Sequence, residues 1–314
     1  MLFRKGAEIP VITGPTASGK TALSLPLARA LDGAIISCDS MQVYRGLDIG
    51  TAKASPAQRA EIPHYLLDIR DPDERFSAED FIFEAEKVLD QLEAEGRWPV
   101  LVGGTPQYIT GLAEGIRFMP DADNPALRRH LLLRCEKEGG EALLKELADM
   151  DPPKAEKLHP NDHRRIARAM EIYLCTGKRQ SDWDKPESRK KDGRHYRVIA
   201  LRRPREELYE RINQRTEKMF EEGLLEEAKK LKAMNLDERA TSLQAIGYKE
   251  LFAYLDGEKS LEEAKDYLKQ QSRRYAKRQL SWFRGKDWVE WVDAEDLPEF
   301  LPAFIEELKN SAKR

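Results

Sequence analysis

The sequence predicts an α/β fold, with a parallel sheet covered by helices on both faces and an all-helical insertion. Three observations predict it. Short apolar segments alternate with amphipathic helical patterns, a glycine-rich turn joins the first apolar segment to a helix, and 121–190 is highly charged and helical without a convincing strand. Near-continuous apolar strands that alternate with helices are typical of a parallel sheet buried on both faces. We therefore expect an α/β core over 1–120 and 191–314 and a helical insertion over 121–190.

The apolar segments at 9–13, 34–37 and 100–102 predict the first strands, and helical spacing predicts helices over 20–31 and 79–95. In parallel sheets the ligand crevice lies beyond the carboxyl ends of the strands. Three segments should therefore converge on one crevice, and these are 14–21, 39–42 and 103–105. A polar run at 185–194 is typical of a linker or mobile loop, and a strand is predicted after it at 196–201. The chain is then predicted to be mostly helical from Pro204 to about Gly285, with a final strand at 288–292 and a final helix at about 297–309.

The first turn, GPTASGKT at 14–21, matches the phosphate-loop pattern G-x-x-x-x-G-K-[ST] in full. Its amides and the start of the following helix favour an anion, and a lysine adds a full positive charge. The core is thus expected to be P-loop NTPase-like. The threonine hydroxyl is a candidate ligand for Mg²⁺ bound to the phosphates. The motif predicts a phosphate chain and does not specify ATP, because a diphosphate on any carrier would satisfy the same donors. The candidate residues are Gly14, Thr16, Ala17, Ser18, Gly19, Lys20 and Thr21, with Thr21 also the metal ligand.

Two further strand ends carry candidate chemistry. Asp39 could hold Mg²⁺ or act as a general base, although a loop or helix-capping role is the structural alternative. After the third strand, Gly103 and Gly104 permit close approach of a ligand and Thr105 offers a hydroxyl. Alone, this second segment is equally consistent with a simple turn.

Composition narrows the protein class. Apolar residues make up 40% and charged residues 35%, and the net charge is only -3, so global charge does not indicate a nucleic-acid binder. The three cysteines are far apart, which favours reduced thiols over disulfides or a zinc site. No signal peptide or membrane span is recognisable, so a cytoplasmic protein is expected.

Seven blocks in order along the chain resemble the bacterial tRNA isopentenyltransferase family, whose members are dimethylallyltransferases. The most specific block is DSMQVYRGLDIGTAK at 39–53. The chain departs from the family pattern at 103–108, where GGTPQY replaces the usual GGTGLY, and at Tyr65, where a second histidine is common. The remaining blocks are GPTASGKT (14–21), PHYLLDI (63–69), LVGGT (101–105), HPND (159–162), IGYKE (246–250) and AKRQLSW (276–282).

The resemblance implies a P-loop kinase-like fold and transfer of a dimethylallyl group from dimethylallyl diphosphate to N6 of adenosine 37, next to the anticodon of tRNA. Asp39 would then be the general base rather than a metal ligand, and Thr105 would orient the adenine. Lys20, the loop amides and Mg²⁺ would stabilise the leaving diphosphate. Arg211 and Arg215 lie one helical turn apart, and the resemblance implies that one of them contacts the diphosphate.

The resemblance also implies that the insertion clasps the anticodon stem-loop of the tRNA. A monomer without an obligate protein partner is expected. The expected tRNA-binding residues are Asp39, Ser40, Met41, Gln42, Thr105, Arg128, Arg164, Arg165, Arg168, Arg274, Lys277 and Arg278.

A basic stripe supports an RNA partner independently. Residues 265–286 contain eight Lys or Arg and one acid, with aromatic residues between them. Such stripes can follow a phosphate backbone, and aromatic rings can stack on exposed bases. The structural alternative is a solvated helix, and Trp282 and Phe283 are predicted to be core residues rather than base platforms.

Three rival functions share parts of this pattern. A small-molecule kinase or nucleotide hydrolase would use the same loop and sheet, although only Asp39 could serve as its acidic strand end. A non-catalytic RNA-binding module could use a nucleotide as a switch. A third alternative keeps prenyl transfer but takes free adenine nucleotides as acceptors, whereas the charged insertion favours a larger one.

Overall fold

The computed structural model describes residues 2–116, 118, 124–184, 193–237 and 240–313. The domain boundaries predicted at 120/121 and 190/191 lie outside the described residues, as does most of the polar run at 185–194. The chain divides into two compact units, and the second unit already includes Thr110, ahead of the predicted start of the insertion. The first unit is formed by Met1–Phe76, Asp80–Ile109 and Asp192–Arg314, and the second by Ser77–Glu79 and Thr110–Lys191.

The first unit is built on a six-stranded sheet in the order β3-β2-β4-β1-β5-β6. All its strand pairs are parallel, which confirms the predicted α/β class. The five predicted strands are present, and β3 is an addition whose two residues pair with Ile35 and Ile36. The strands are β1 (Glu8–Thr13), β2 (Gly33–Ser37), β3 (His64–Tyr65), β4 (Trp98–Val102), β5 (His195–Arg202) and β6 (Val289–Asp293).

Helices follow most strands and make up much of the described part of the second unit. The longest, α12, begins with a capping box in which Ser260 and Glu263 exchange hydrogen bonds between side chain and backbone. The helices are α1 (Lys20–Ala30), α2 (Pro56–Glu61), α3 (Ala78–Ala94), α4 (Pro106–Glu114), α5 (Pro125–Glu138), α6 (Gly140–Met150), α7 (Pro152–Ala155), α8 (His163–Thr176), α9 (Arg205–Glu221), α10 (Leu224–Ala233), α11 (Lys249–Leu255), α12 (Leu261–Arg284) and α13 (Leu297–Ser311).

The central strands form the core of the first unit. Strand β2 is buried along its whole length, and β1 is buried at every residue after Glu8. Such continuous burial is expected for strands covered on both faces. Trp98, at the start of β4, is fully buried, and its indole N–H donates to the backbone carbonyl of Glu8 at 3.2 Å.

The second unit has its own apolar core. Its described residues include α5–α8, the first two residues of α3, the end of α4 and a short 3₁₀ helix at Gln180–Asp182, and they contain no strand. Its buried core residues are Leu131, Cys135, Leu143, Leu147, Ala155, Ile166, Ala167, Ala169 and Met170.

Among the described residues, no helix is long and apolar enough to cross a membrane.

Candidate active site

A cavity of about 400 Å³ lies at the carboxyl ends of β1, β2 and β4. The three segments that the sequence predicts to meet at one crevice all contribute to its wall, and α9 and α12 supply further residues. Both polar and apolar side chains line it. The lining residues include Thr16, Lys20, Thr21, Asp39, Ser40, Met41, Gln42, Gly50, Gly103, Gly104, Arg215, Tyr275 and Gln279.

The phosphate loop has the curled backbone that its sequence predicts. Gly14 and Gly19 have φ of 130° and 106°, a region that favours glycine. A Cβ at Gly14 would also lie 2.6 Å from the backbone oxygen of Leu201. Ala17 adopts φ of 63° despite its side chain, which is a strained conformation often found at functional sites.

Lys20 lies at the start of α1 with its ammonium across the loop. Its Nζ donates to the backbone oxygens of Gly14 and Pro15 at 3.0 and 2.9 Å. Burial, reinforced by the charge of Arg215, lowers the pKa of Lys20 to about 8, and the charge of Asp39 opposes both effects. Burial also lowers the pKa of Arg215, again opposed by Asp39. Two cations beside one carboxylate give this part of the cavity a positive balance that suits an anion.

The two candidate arginines of α9 occupy different places. Arg215 lines the cavity, and its Nη1 donates to the Thr16 hydroxyl at 2.9 Å. Arg211 is exposed, and its Nε donates to the backbone oxygen of Ala17 at 3.0 Å. A third arginine that the sequence did not single out, Arg203, donates from Nε to the next backbone oxygen of the loop at 2.9 Å. Arg215 is therefore the one positioned to meet a ligand, while the others support the loop.

Asp39 is oriented by the turn that follows it. Its Oδ1 accepts hydrogen bonds from the backbone N–H groups of Met41 and Gln42 at 2.9 and 3.3 Å. Among the described residues, none donates a hydrogen bond to Oδ2. The neighbouring Thr105 is buried, and its Oγ1 accepts from the backbone N–H of Ser40 at 3.0 Å. The carboxylate and the hydroxyl are therefore linked through hydrogen bonds to the same turn, at 39–42.

The Gln42 side chain forms hydrogen bonds within the protein. Its Oε1 accepts from the Ser37 hydroxyl at 2.8 Å, and its Nε2 donates to the backbone oxygen of Thr51 at 3.1 Å. Ser40 and Met41 are partly exposed in the cavity wall. Asp39 and Gln42 are partly exposed there as well, so all four expected contacts of this segment lie in the cavity wall.

A partly buried carboxylate holds the backbone from Asp48 to Gly50. Glu227 accepts hydrogen bonds from the backbone N–H groups of Asp48, Ile49 and Gly50, and Tyr248 donates its hydroxyl to the same carboxylate. A Cβ at Gly50 would lie 2.6 Å from the Tyr248 ring. Sequence reasoning missed Glu227, because nothing near it in the chain indicates such a partner.

Gln279 of α12 reaches the cavity without having been predicted. Its side chain is buried, accepts from the backbone N–H of Thr16 at 2.9 Å and donates to the backbone oxygen of Gly104 at 2.8 Å. It lies within the AKRQLSW block, which was the available signal.

Tyr275, one turn earlier on α12, also lines the cavity and was not predicted to do so. Burial raises the pKa of its phenol, the charge of Asp39 raises it further, and a hydrogen bond with Thr105 opposes them. The phenol therefore stays protonated at neutral pH beside the two polar groups that the sequence singled out.

The predicted arginines of the second unit fall into two groups. Arg128 and Arg168 pair with the fully buried carboxylate of Glu171, at 2.7 and 3.0 Å. Arg164 and Arg165 are exposed, and Arg165 pairs with an acid three residues before it at 3.2 Å. The first group has an evident structural role, whereas the second is accessible to a partner.

The basic stripe on α12 also separates into paired and accessible residues. Lys269 pairs with Glu217 at 2.5 Å, while Arg274, Lys277 and Arg278 are exposed. The accessible part of the stripe therefore includes the three residues that are expected to bind tRNA.

The two aromatic residues at the end of α12 differ in burial. Phe283 is fully buried, as predicted. The prediction that Trp282 is a core residue is wrong, because its side chain is 40% exposed at the end of the helix.

The residues at the cavity are compatible with a magnesium ion that is held mainly by phosphate. Mg²⁺ usually keeps several waters and takes few protein ligands alongside substrate phosphates. Thr21 lines the cavity next to Lys20. Among the described residues, no group of three His, Cys, Asp or Glu could hold a metal by itself.

A phosphate loop at the end of a central parallel strand, together with a carboxylate in the same partly apolar cavity, defines a P-loop protein built to act on a phosphorylated ligand. The family model described as "IPP transferase" matches residues 42–286. The chain belongs to this family, which confirms the resemblance.

Individual relatives agree with this assignment. The chain is 46% identical over 301 residues to a tRNA dimethylallyltransferase of Geobacillus thermodenitrificans (strain NG80-2), covering 96% of this chain and 95% of the relative. The structure of the chain is similar to that of the full-length tRNA isopentenylpyrophosphate transferase of Bacillus halodurans, with a TM-score of 0.70, 41% identity and 98% of each chain covered. It also resembles a eukaryotic dimethylallyltransferase acting on tRNA, with a TM-score of 0.75, 31% identity, and coverage of 94% of this chain and 75% of the other.

Proposed function

We propose that this protein transfers the dimethylallyl group of dimethylallyl diphosphate to N6 of adenosine 37 in tRNA, releasing diphosphate. The observation that carries the proposal is a single cavity that combines a phosphate loop, Arg215 and the Asp39 carboxylate. The family and its relatives support prenyl transfer over the phosphoryl transfer of a small-molecule kinase.

The donor's diphosphate would bind at the phosphate loop. Lys20 and Arg215 supply positive charge, and the loop amides and the start of α1 supply further donors. As the carbon–oxygen bond breaks, negative charge grows on the leaving diphosphate, and these fixed groups stabilise it. Apolar side chains of the same cavity offer the five-carbon group a dry surface, and they include Leu25, Met41, Leu67, Met219 and Ile246.

The acceptor amine would meet Asp39 in the same cavity. An adenine amine is a weak nucleophile because its lone pair is delocalised into the ring, so a base must remove a proton as the carbon–nitrogen bond forms. Asp39 retains an oxygen for that proton while its other oxygen is held by two amides. Thr105 would orient the base, which must leave the anticodon loop stack to enter the cavity.

Magnesium would act with the phosphate loop. Thr21 would supply the hydroxyl ligand next to the diphosphate. When bound, the ion neutralises part of the diphosphate charge.

Exposed basic residues would hold the tRNA. Arg128 and Arg168 would contribute mainly through the buried Glu171, and no further protein chain is required. The residues that would contact phosphates are exposed in both units, and they are Arg164, Arg165, Arg274, Lys277 and Arg278.

One experiment separates the proposed function from its rivals. The protein is incubated with Mg²⁺, labelled dimethylallyl diphosphate and unmodified tRNA, with AMP and ATP as alternative acceptors and labelled ATP as an alternative donor. Label should enter tRNA from the prenyl donor alone. Transfer of the terminal phosphate of ATP, or prenylation of AMP but not tRNA, would contradict the proposal.

A further inference from the structure

We propose that Gln279 is a positioning residue for this transfer, which holds the phosphate loop against the end of β4. The inference rests on the proposed function. Gln279 lies on α12, far along the chain from both segments, and it is only 2% exposed. It contacts the walls that carry the donor site and the acceptor site.

Both ends of the Gln279 carboxamide are used. Its Oε1 accepts from the backbone N–H of Thr16 at 2.9 Å, and its Nε2 donates to the backbone oxygen of Gly104 at 2.8 Å. A glutamate could serve Thr16 but would turn an oxygen toward the Gly104 carbonyl. An asparagine is one methylene shorter. Glutamine therefore satisfies the two groups together.

The same contact explains why position 104 is glycine. A Cβ there would lie 2.2 Å from Gln279 Nε2, and the next neighbours are at 3.4 Å or more. Gly103 differs, because its Cβ would lie 2.2 Å from the backbone oxygen of Cys38. Only the restriction at Gly104 should depend on Gln279.

The two hydrogen bonds of Gln279 link the phosphate loop to the end of β4, and so set the separation between the donor site and the acceptor site. Thr16 accepts the hydrogen bond of Arg215, and Gly104 directly precedes Thr105. Without Gln279 the loop and the strand end could move apart, and the geometry of donor and acceptor would be less well defined.

Gln279→Met tests this role, since methionine has a similar volume and offers no comparable hydrogen bonds. We expect kcat/KM for dimethylallyl diphosphate to fall by about tenfold or more, with an unchanged KM for tRNA and a melting temperature within about 4 °C. Gln270→Met, at an exposed position of the same helix, is the control and should retain full activity. A kcat/KM within twofold of the original would overturn the proposal.

A double-mutant cycle tests the contact itself. Gly104→Ala should reduce kcat/KM strongly in the original protein and several-fold less in a Gln279→Ala background, whereas the effect of Gly103→Ala should be the same in both. Equal effects of Gly104→Ala in both backgrounds would contradict the inference. If the original protein fails to prenylate tRNA, the proposed function fails, and pyrophosphate binding by calorimetry to the same variants still tests whether Gln279 shapes the loop.

Discussion

At the scale of single residues, the candidate site depends on where each charge is held. Lys20 and Arg215 both lie at the cavity. Burial lowers the pKa of each, and the negative charge of Asp39 opposes that effect. Asp39 therefore serves the site twice. It balances two cations before a ligand binds, and it is the proposed acceptor of the amine's proton.

Asp39→Asn should separate these two roles. The amide oxygen can still accept from Met41 and Gln42, so the turn should persist, but the side chain can no longer take a proton. We expect single-turnover prenylation to slow by about 10²- to 10⁴-fold, while pyrophosphate binds at least as tightly because a negative charge has been removed. Asp71→Asn, at an exposed position, is the control. A loss of less than tenfold would remove Asp39 as the base.

The lowered pKa of Lys20 predicts a pH dependence of diphosphate binding. In the protein without a ligand, the Lys20 ammonium loses its proton near pH 8, whereas a bound diphosphate favours the charged form. Affinity for pyrophosphate should therefore fall as the pH rises above about 8. Calorimetry measures the affinity of the original protein and of Lys20→Met at each pH, so that the titration of pyrophosphate itself cancels in the comparison. The affinity of the original protein divided by that of Lys20→Met should decrease as the pH is raised through about 8. A constant ratio would contradict the prediction.

Sequence reasoning located residues within local motifs and missed several residues that act at long range. Lys20 and Asp39 were recognisable because a strand, a turn and a charged residue follow one another in the chain. Gln279, Glu227 and Arg203 were not, because each contacts backbone groups that are distant in sequence. A backbone group as partner leaves no charge pattern to signal the pairing, and the family block that contains Gln279 does not reveal which groups it contacts.

At the scale of elements, burial explains which strands were predictable. The central strands β1, β2 and β4 are almost continuously buried and were predicted within a few residues. Strand β3 has only His64 and Tyr65, both partly exposed, and so lacks a recognisable apolar run. The sheet position of β3 comes from pairing with β2, which a local pattern does not reveal.

The arginines of the second unit should differ in function although they share a charge. Arg128→Ala leaves the buried Glu171 carboxylate with less compensation, so the free energy of unfolding should fall by about 2 kcal/mol or more. Arg164→Ala should change stability by less than about 0.5 kcal/mol and weaken tRNA binding. Chemical unfolding and tRNA titration of both variants check this. Equal destabilisation by the two substitutions would contradict the structural role assigned to the ion pair between Arg128 and Glu171.

At the scale of the whole molecule, a net charge of -3 conceals a local basic surface. On α12 the acids of neighbouring helices neutralise part of the stripe, as Glu217 does for Lys269, while Arg274, Lys277 and Arg278 are exposed. Their spacing along the helix places them on one face. Binding of RNA is then governed by the arrangement of charge rather than by its total.

Salt dependence measures this arrangement directly. Each phosphate contact releases counterions, so removing three contacts by Arg274→Ala, Lys277→Ala and Arg278→Ala should reduce the slope of log affinity against log salt by about 2 to 3. A control variant removes the exposed Lys5, Lys87 and Lys313 instead, which gives the same net charge. Titration of tRNA at several salt concentrations should leave the control slope unchanged. Equal slopes for the two triple variants would mean that total charge, and not the α12 surface, attracts the tRNA.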